Sequence, residues 1–209
     1  MEIQYYGANC IKISNKNATV VIDDNLKTLG LSAVAKSGDI VLYTHEMLKG
    51  EPKEPKLVID QPGEYEVSAI SVMGTAARAH MDDEKSKTAT IYKIVVGDIR
   101  IVVTGHIFAD LDENQLEAIG TVDVLIVPVG NSGYTMDAVG ALKIIKEIEP
   151  KIVIPTHFAD NKVKYEVPQT ELETAVKEMS MEVHETVPKL KLKSSDLPEA
   201  MQLIVLERQ

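Results

Sequence analysis

The spacing of apolar residues changes character midway along the chain, and that change restricts the fold more than any other feature. In the first half, short β-rich runs follow one another. Ile3 to Tyr6, Cys10 to Ile13 and Ala18 to Ile22 are separated by Gly7-Ala8-Asn9 and Asn15-Lys16-Asn17. Asp39 to Tyr43 and Leu57 to Asp60 are further apolar runs, with a polar loop over Lys49 to Lys56 between them. Tyr65 to Met73 alternates and reads as one strand, Ala76 to Lys87 as a loop, and Ala89 to Val96 with Ile99 to Val103 as a hairpin around Gly97-Asp98. The second half alternates strand and helix. Asp112 to Ile119 reads as a helix with Asp112 as its N-cap, and Val122 to Val127 as a strand buried on both faces. Ala138, Ala141, Leu142, Ile145 and Ile148 keep helical spacing up to Pro150. Ile152 to Ile154 is a buried strand, Gln169 to Met179 an amphipathic helix, and Leu190 to Leu192 and Leu203 to Leu206 late strands. Strands first and then alternating strands and helices imply an α/β fold, with sheets covered by helices. No Pro-, Gly- or Ser-rich linker interrupts the 209 residues, so a single domain over 1–209 is expected.

Composition narrows the function classes. With no Trp and two Phe, the core must come from aliphatic residues, and 44% hydrophobic residues suffice for it. A net charge of -10 disfavours a nucleic-acid backbone or an anionic membrane as the main partner and leaves a small-molecule substrate or ligand. Cys10 is the one cysteine, so no internal disulfide can form. The start, Met1-Glu2-Ile3-Gln4-Tyr5, has no basic and then apolar leader pattern, and no apolar run is long enough to span a bilayer. A soluble, cytoplasmic protein is the expectation. The sequence carries no indication of oligomeric state.

Three of the five histidines end apolar runs: His45 after Val41-Leu42-Tyr43-Thr44, His106 after Ile101-Val102-Val103-Thr104-Gly105, and His157 after Ile152-Val153-Ile154-Pro155-Thr156. Open sheets place their sites just past the carboxyl ends of strands. His80, in the polar loop before the hairpin, is a fourth candidate. His184, between glutamates at 182 and 185, reads as a surface residue. Neutral imidazole suits zinc, and a catalytic zinc takes about three protein ligands and an open position. The spacing alone matches no metal signature. Glu113 and Glu117 read as a solvated helix face, and Lys189, Lys191 and Lys193 as an edge strand guarded by lysine. Ser132 and Cys10 have no evident base beside them, which argues against a Ser or Cys nucleophile.

Several segments resemble the metallo-β-lactamase superfamily, in particular its small Zn-dependent hydrolases. Tyr6 to Ile11 is similar to a GHSCF start, Val20 to Asp23 to a strand ending in Asp, and Ile40 to His45 to the strand that leads into HxHxDH. Pro62 to Glu66 (PGEYE), Asp123 to Gly130 (DVLIVPVG) and Pro150 to His157 (PKIVIPTH) are the more specific matches, and Lys189 to Pro198 resembles the tail. The resemblance implies a four-layer αββα sandwich with a metal site at one edge between the sheets. His45 matches the first His of HxHxDH, His80 the later loop ligand and His157 the final ligand. The departures are as informative. Met47, Lys49 and Gly50 stand at the second His, the Asp and the third His, His106 at the bridging Asp, and Ala8 at a nearby His. An ammonium where an anionic ligand belongs opposes a cation, so a two-metal centre is not expected. The resemblance implies at most a mononuclear metal-dependent hydrolase of an ester or phosphoester. One Zn (or Fe or Mn) would be held by some combination of His45, His80, His106 and His157, with Asp23 or Asp24 nearby, His106 as ligand or general acid/base and Lys49 facing an anionic substrate. The alternative is a catalytically inactive pseudoenzyme that binds no metal and serves as a ligand-binding or scaffold protein.

Overall fold

Alternation decides the first strands. In β1 (Glu2–Gly7) every second residue is buried, which fits an antiparallel strand with one face on a core. β2 (Cys10–Ser14) and β3 (Thr19–Ile22) continue the meander, and β4 (Ile40–Leu42) and β5 (Leu57–Ile59) then add in parallel. With β13 (Leu190–Lys191) on the far edge, they form a six-stranded sheet in the order β13-β1-β2-β3-β4-β5. The second sheet has eight strands, β12-β14-β11-β10-β9-β8-β7-β6. Its antiparallel half comprises β6 (Gly63–Val67), β7 (Ile70–Ala77), β8 (Ala89–Val96) and β9 (Ile99–Val103). Its parallel half adds β10 (Val124–Pro128), β11 (Ile152–Thr156), β12 (Val183–Val187) and β14 (Gln202–Leu206). The computed structural model describes all residues 1–209.

The two sheets face each other across 25 buried, mostly aliphatic residues, among them Ile3, Ile22 and Leu42 from the first sheet and Ile94, Ile126 and Ile154 from the second. The outer face of the second sheet is covered by α1 (Glu113–Ile119), α2 (Ala138–Ile148) and α3 (Leu172–Glu178), which close a second core with Val102, Leu125 and Val153. Over the first sheet the covering layer is the irregular chain that follows β3, where Leu26 packs on Cys10 and Val21. This is the α/β sandwich that the resemblance implies. No helix is long and apolar enough to cross a membrane.

Local expectations hold where side chains set the geometry. Asp112 caps α1 with a full capping box: its side chain accepts from the Gln115 N–H, and the Gln115 side chain accepts from the Asp112 N–H, both at 2.9 Å. The stretch read as one strand over Tyr65 to Met73 is instead the hairpin β6–β7. Ser68 and Ala69 form its tip, both at positive φ (54° and 58°), where the usual Asn-Gly cue is missing. The loop expected from Ala76 begins later, because β7 runs on to Ala77 against β8. β12 was not expected. It is an edge strand almost wholly exposed, so it lacks the apolar alternation by which strands are read.

Candidate functional site

The three histidine-ending runs converge because β4 belongs to one sheet and β9 and β11 to the other, and their carboxyl ends meet at one edge of the sandwich. Gly105 makes the meeting close. It sits at φ 61°, and a Cβ there would fall 2.2 Å from the Thr44 Oγ1 of the opposite sheet. Only glycine meets both conditions. Gly130, after β10, does the same on the other flank, since a Cβ would fall 2.1 Å from Gln169 Oε1 and 2.2 Å from the His157 carbonyl oxygen.

His106 and His157 form the centre. Their ring centroids lie 4.7 Å apart at 78°, and Tyr134 packs on His106 at 5.3 Å and Tyr165 on His157 at 5.0 Å. Both histidines are buried, at 2% and 4% exposure. The Gln169 Nε2 donates to the Val167 carbonyl, which turns its Oε1 towards His157 Nδ1 at 3.0 Å. His157 therefore carries its proton on Nδ1 and presents Nε2 as an acceptor. Burial drives its pKa down to about 4. His106 has no hydrogen-bond partner on either ring nitrogen. Burial, and then the neighbouring His157, His45 and His80, hold it well below the ordinary imidazole range, so it is neutral. A cavity of about 80 Å³ opens here, lined among others by Met47, His106, Tyr134, His157, Tyr165 and Gln169.

The other candidates lie around this centre in different states. His80 is tied by its backbone N–H to the His106 carbonyl at 2.7 Å, its ring leans on Phe108, and its buried Nδ1 has no partner. His45 is satisfied on both nitrogens. Nδ1 accepts from the Met47 N–H at 3.1 Å, so Nε2 bears the proton and donates to Thr88 Oγ1 at 3.0 Å. Thr88 in turn donates to Asp82. Asp23 is wholly buried, and its two oxygens accept from the Thr44 N–H at 2.7 Å and the Thr44 hydroxyl at 2.6 Å. Burial pushes its pKa up to about 7, against the two Thr44 hydrogen bonds, which lower it. Asp24 Oδ2 accepts from the backbone of Val34 and Ala35. Lys49 is paired with Asp60 at 3.0 Å and Glu46 at 3.8 Å and does not line the histidine cavity.

This donor set was compared with what a metal ion requires. The free donors are imidazole nitrogens of His106, His157 and His80; the carboxylates of Asp23, Asp60 and Asp82 are bonded to protein groups, and the one free oxygen of Asp24 lies outside the histidine cavity. No three His, Cys, Asp or Glu side chains are grouped to hold an ion. As arranged, the residues fit neither a two-metal centre nor a three-ligand zinc site. Tyr134, Tyr165 and Gln169 are the site residues that the sequence reading missed. The two tyrosines come from irregular segments, where no periodicity marks them, and Gln169, read as the start of a helix, precedes α3, which begins only at Leu172.

Comparisons with known proteins agree with this architecture. The profile of the beta-lactamase superfamily domain matches residues 2–157. A protein of Archaeoglobus fulgidus named as a UPF0173 metal-dependent hydrolase is 25% identical over 95 residues, which is 43% of this chain and 41% of that protein. A protein of the same name from Carboxydothermus hydrogenoformans is 36% identical over 67 residues, 32% of this chain and 29% of that protein. The chain thus spans less than half the length of the curated relatives it matches. Among solved structures, a Thermotoga maritima protein described as a Zn-dependent hydrolase of the metallo-β-lactamase superfamily superposes with a TM-score of 0.78 at 22% identity, covering 99% of this chain and 98% of that one. Igni18, a metallo hydrolase of Ignicoccus hospitalis, gives 0.62 at 14% identity, covering 99% and 94%. Both likenesses concern the fold. With three quarters of its length matched by the family profile, a sandwich of two mixed sheets and a site where their strand ends meet, the chain belongs to the beta-lactamase superfamily.

Proposed function

We propose that this chain is a small-ligand-binding member of its family that does not use two-metal hydrolysis. The reading rests on His106. A buried imidazole with both nitrogens unpaired costs about 1–3 kcal/mol per orphaned group, and a fold keeps such a residue where a partner from outside completes it. Neutral His106 offers one N–H donor and one acceptor, and the Tyr134 ring lines the same cavity. The complementary group both donates and accepts: a hydroxyl or a primary amide. The cavity of about 80 Å³ is far below the roughly 300–1,000 Å³ of whole-ligand pockets, so it takes a terminal group of a few atoms.

The relatives' names make metal content the first quantity to measure. The rival reading is a mononuclear metal-dependent hydrolase of an ester or phosphoester that draws on His45, His80, His106 and His157. The protein is purified without tag or chelator, dialysed, and assayed by plasma mass spectrometry and with bis(p-nitrophenyl) phosphate. We expect well under one ion per chain and no turnover with added Zn, Mn or Fe. One tightly held ion per chain, with turnover that His106→Ala and His157→Ala abolish, replaces this reading with the mononuclear hydrolase.

A further inference from the structure

The chain after β3 shapes a second cavity, of about 310 Å³, which shares Asn25 and Thr28 with the histidine pocket. Asp24, Lys27, Lys49 and Gly50 also line it. Asp24 is 5% exposed. Its Oδ2 accepts two backbone N–H groups, from Val34 and Ala35, both at 2.7 Å, which fixes the carboxylate in place. Its Oδ1 is buried and has no partner. No cationic side chain lies within 4 Å of it, since the Lys49 ammonium is turned to Asp60 and Glu46. A second orphaned oxygen, Asn25 Oδ1, belongs to a residue of the same lining. Gly50 lets these walls close up. A Cβ there would fall 2.1 Å from the Asp24 carbonyl oxygen and 3.4 Å from the Tyr43 hydroxyl.

A buried carboxylate oxygen without donor or counter-charge is costly to hold. Water answers the missing hydrogen bonds but not the charge. A divalent metal answers the charge but asks for six or more oxygen ligands, and this wall offers two carboxylates, Asp24 and Glu51, beside two lysines. A protonated primary amine answers both needs, with N–H donors for the Asp24 and Asn25 oxygens and a positive charge for the Asp24 carboxylate. We propose that this cavity binds the ammonium group of a small molecule, with Asp24 as its counter-ion and Asn25 as a further acceptor. The volume admits an amine of amino-acid size, and the ammonium of Lys27 at the rim favours one that also carries an acid group. The site does not depend on His106, so it goes beyond the function proposed above.

The test is the melting temperature of the full chain with propylammonium chloride and with β-alanine, against sodium, magnesium and calcium chloride at matched ionic strength. At about five times its dissociation constant, either amine raises the melting temperature by about 2–4 °C, and the metal chlorides do not. Asp24→Asn abolishes the rise while its amide oxygen still accepts from Val34 and Ala35. His106→Leu leaves it unchanged, which separates this site from the histidine pocket. An equal rise with magnesium or calcium, no amine-specific rise in the wild type, or a rise that survives in Asp24→Asn overturns the proposal. If Asp24→Asn does not fold, Asn25→Ala serves in its place. It must weaken amine binding at least threefold, and unchanged affinity overturns the proposal.

Discussion

The two sheets end their strands at the same edge of the molecule but finish them in opposite ways. On the first sheet, the groups nearest the histidines are paired: Asp23 with Thr44, His45 with Met47 and Thr88, Lys49 with Asp60, and only the neighbouring cavity of Asp24 and Asn25 holds unpaired oxygens. On the second, His106 has two free nitrogens and His80 one. Satisfied polar groups hold a fold in one arrangement, and unsatisfied ones reserve capacity for something else. The first edge is therefore mostly tied down, apart from Asp24 and Asn25, and the second leaves its histidines open, although both derive from the same kind of apolar run ending in histidine.

That contrast can be broken by substitution. The largest effect is expected at the seam. Gly105→Ala puts a methyl group onto Thr44 at positive φ and should destabilise the protein by about 2–5 kcal/mol in urea unfolding. A loss below 1 kcal/mol would mean that the sheet ends are not locked together. Asp23→Ala should cost about 2–3 kcal/mol, because it orphans the buried Thr44 N–H and hydroxyl.

The same aspartate and His157 predict opposing pH limbs. The folded-state pKa of Asp23 is raised from 3.8 to about 7, so its contribution is full below the lower value and lost as pH rises through the upper one. His157 is lowered from 6.5 to about 4, so its contribution is present above the higher value and lost as pH falls through the lower one. The two windows overlap, so the two slopes offset each other in the wild type; between pH 4 and 6.5 the urea midpoint should slope more upward with pH in Asp23→Asn and more downward in His157→Asn, a residue that tolerates the φ of 57°. Identical profiles in wild type and both variants would remove the electrostatic half of the comparison.

His106→Leu is the inverse case. Replacing an unsatisfied buried group by an apolar one of similar size should leave stability unchanged or raise it by about 1 kcal/mol. A loss as large as that of Asp23→Ala would make the second edge as tied down as the first. The smallest effect belongs to Lys49→Met. Its ion pairs are solvent-screened, so no measurable shift of the unfolding midpoint is expected.

What could be read in advance follows from the same division. The strand ends at His45, His106 and His157 and the cap at Asp112 were legible because each couples a local chemical signal to a period that burial imposes. The turn at Ser68-Ala69 and the exposed β12 were not. In one, ordinary residues take a conformation that the fold imposes; in the other, the strand is held by backbone pairing to β14 alone. At the site, the sequence marked the histidines but could not tell a bonded imidazole from an orphaned one. That difference is set by Thr88 and Gln169, which lie 43 and 12 residues away along the chain from the rings they bond. Lys49, read as facing a substrate, meets Asp60 instead, a pairing that only the parallel β4–β5 register brings about.

The uncovered β12 has a consequence for the protein in solution. The eight-stranded sheet stops there with a rank of unpaired backbone groups, and Val183 stands 41% exposed beside them. Such a border can accept the same border of another molecule. Glu182 and Glu185 flank this border, and their like charges oppose an approaching copy. Replacing both by Gln is expected to raise light scattering before any loss of fold.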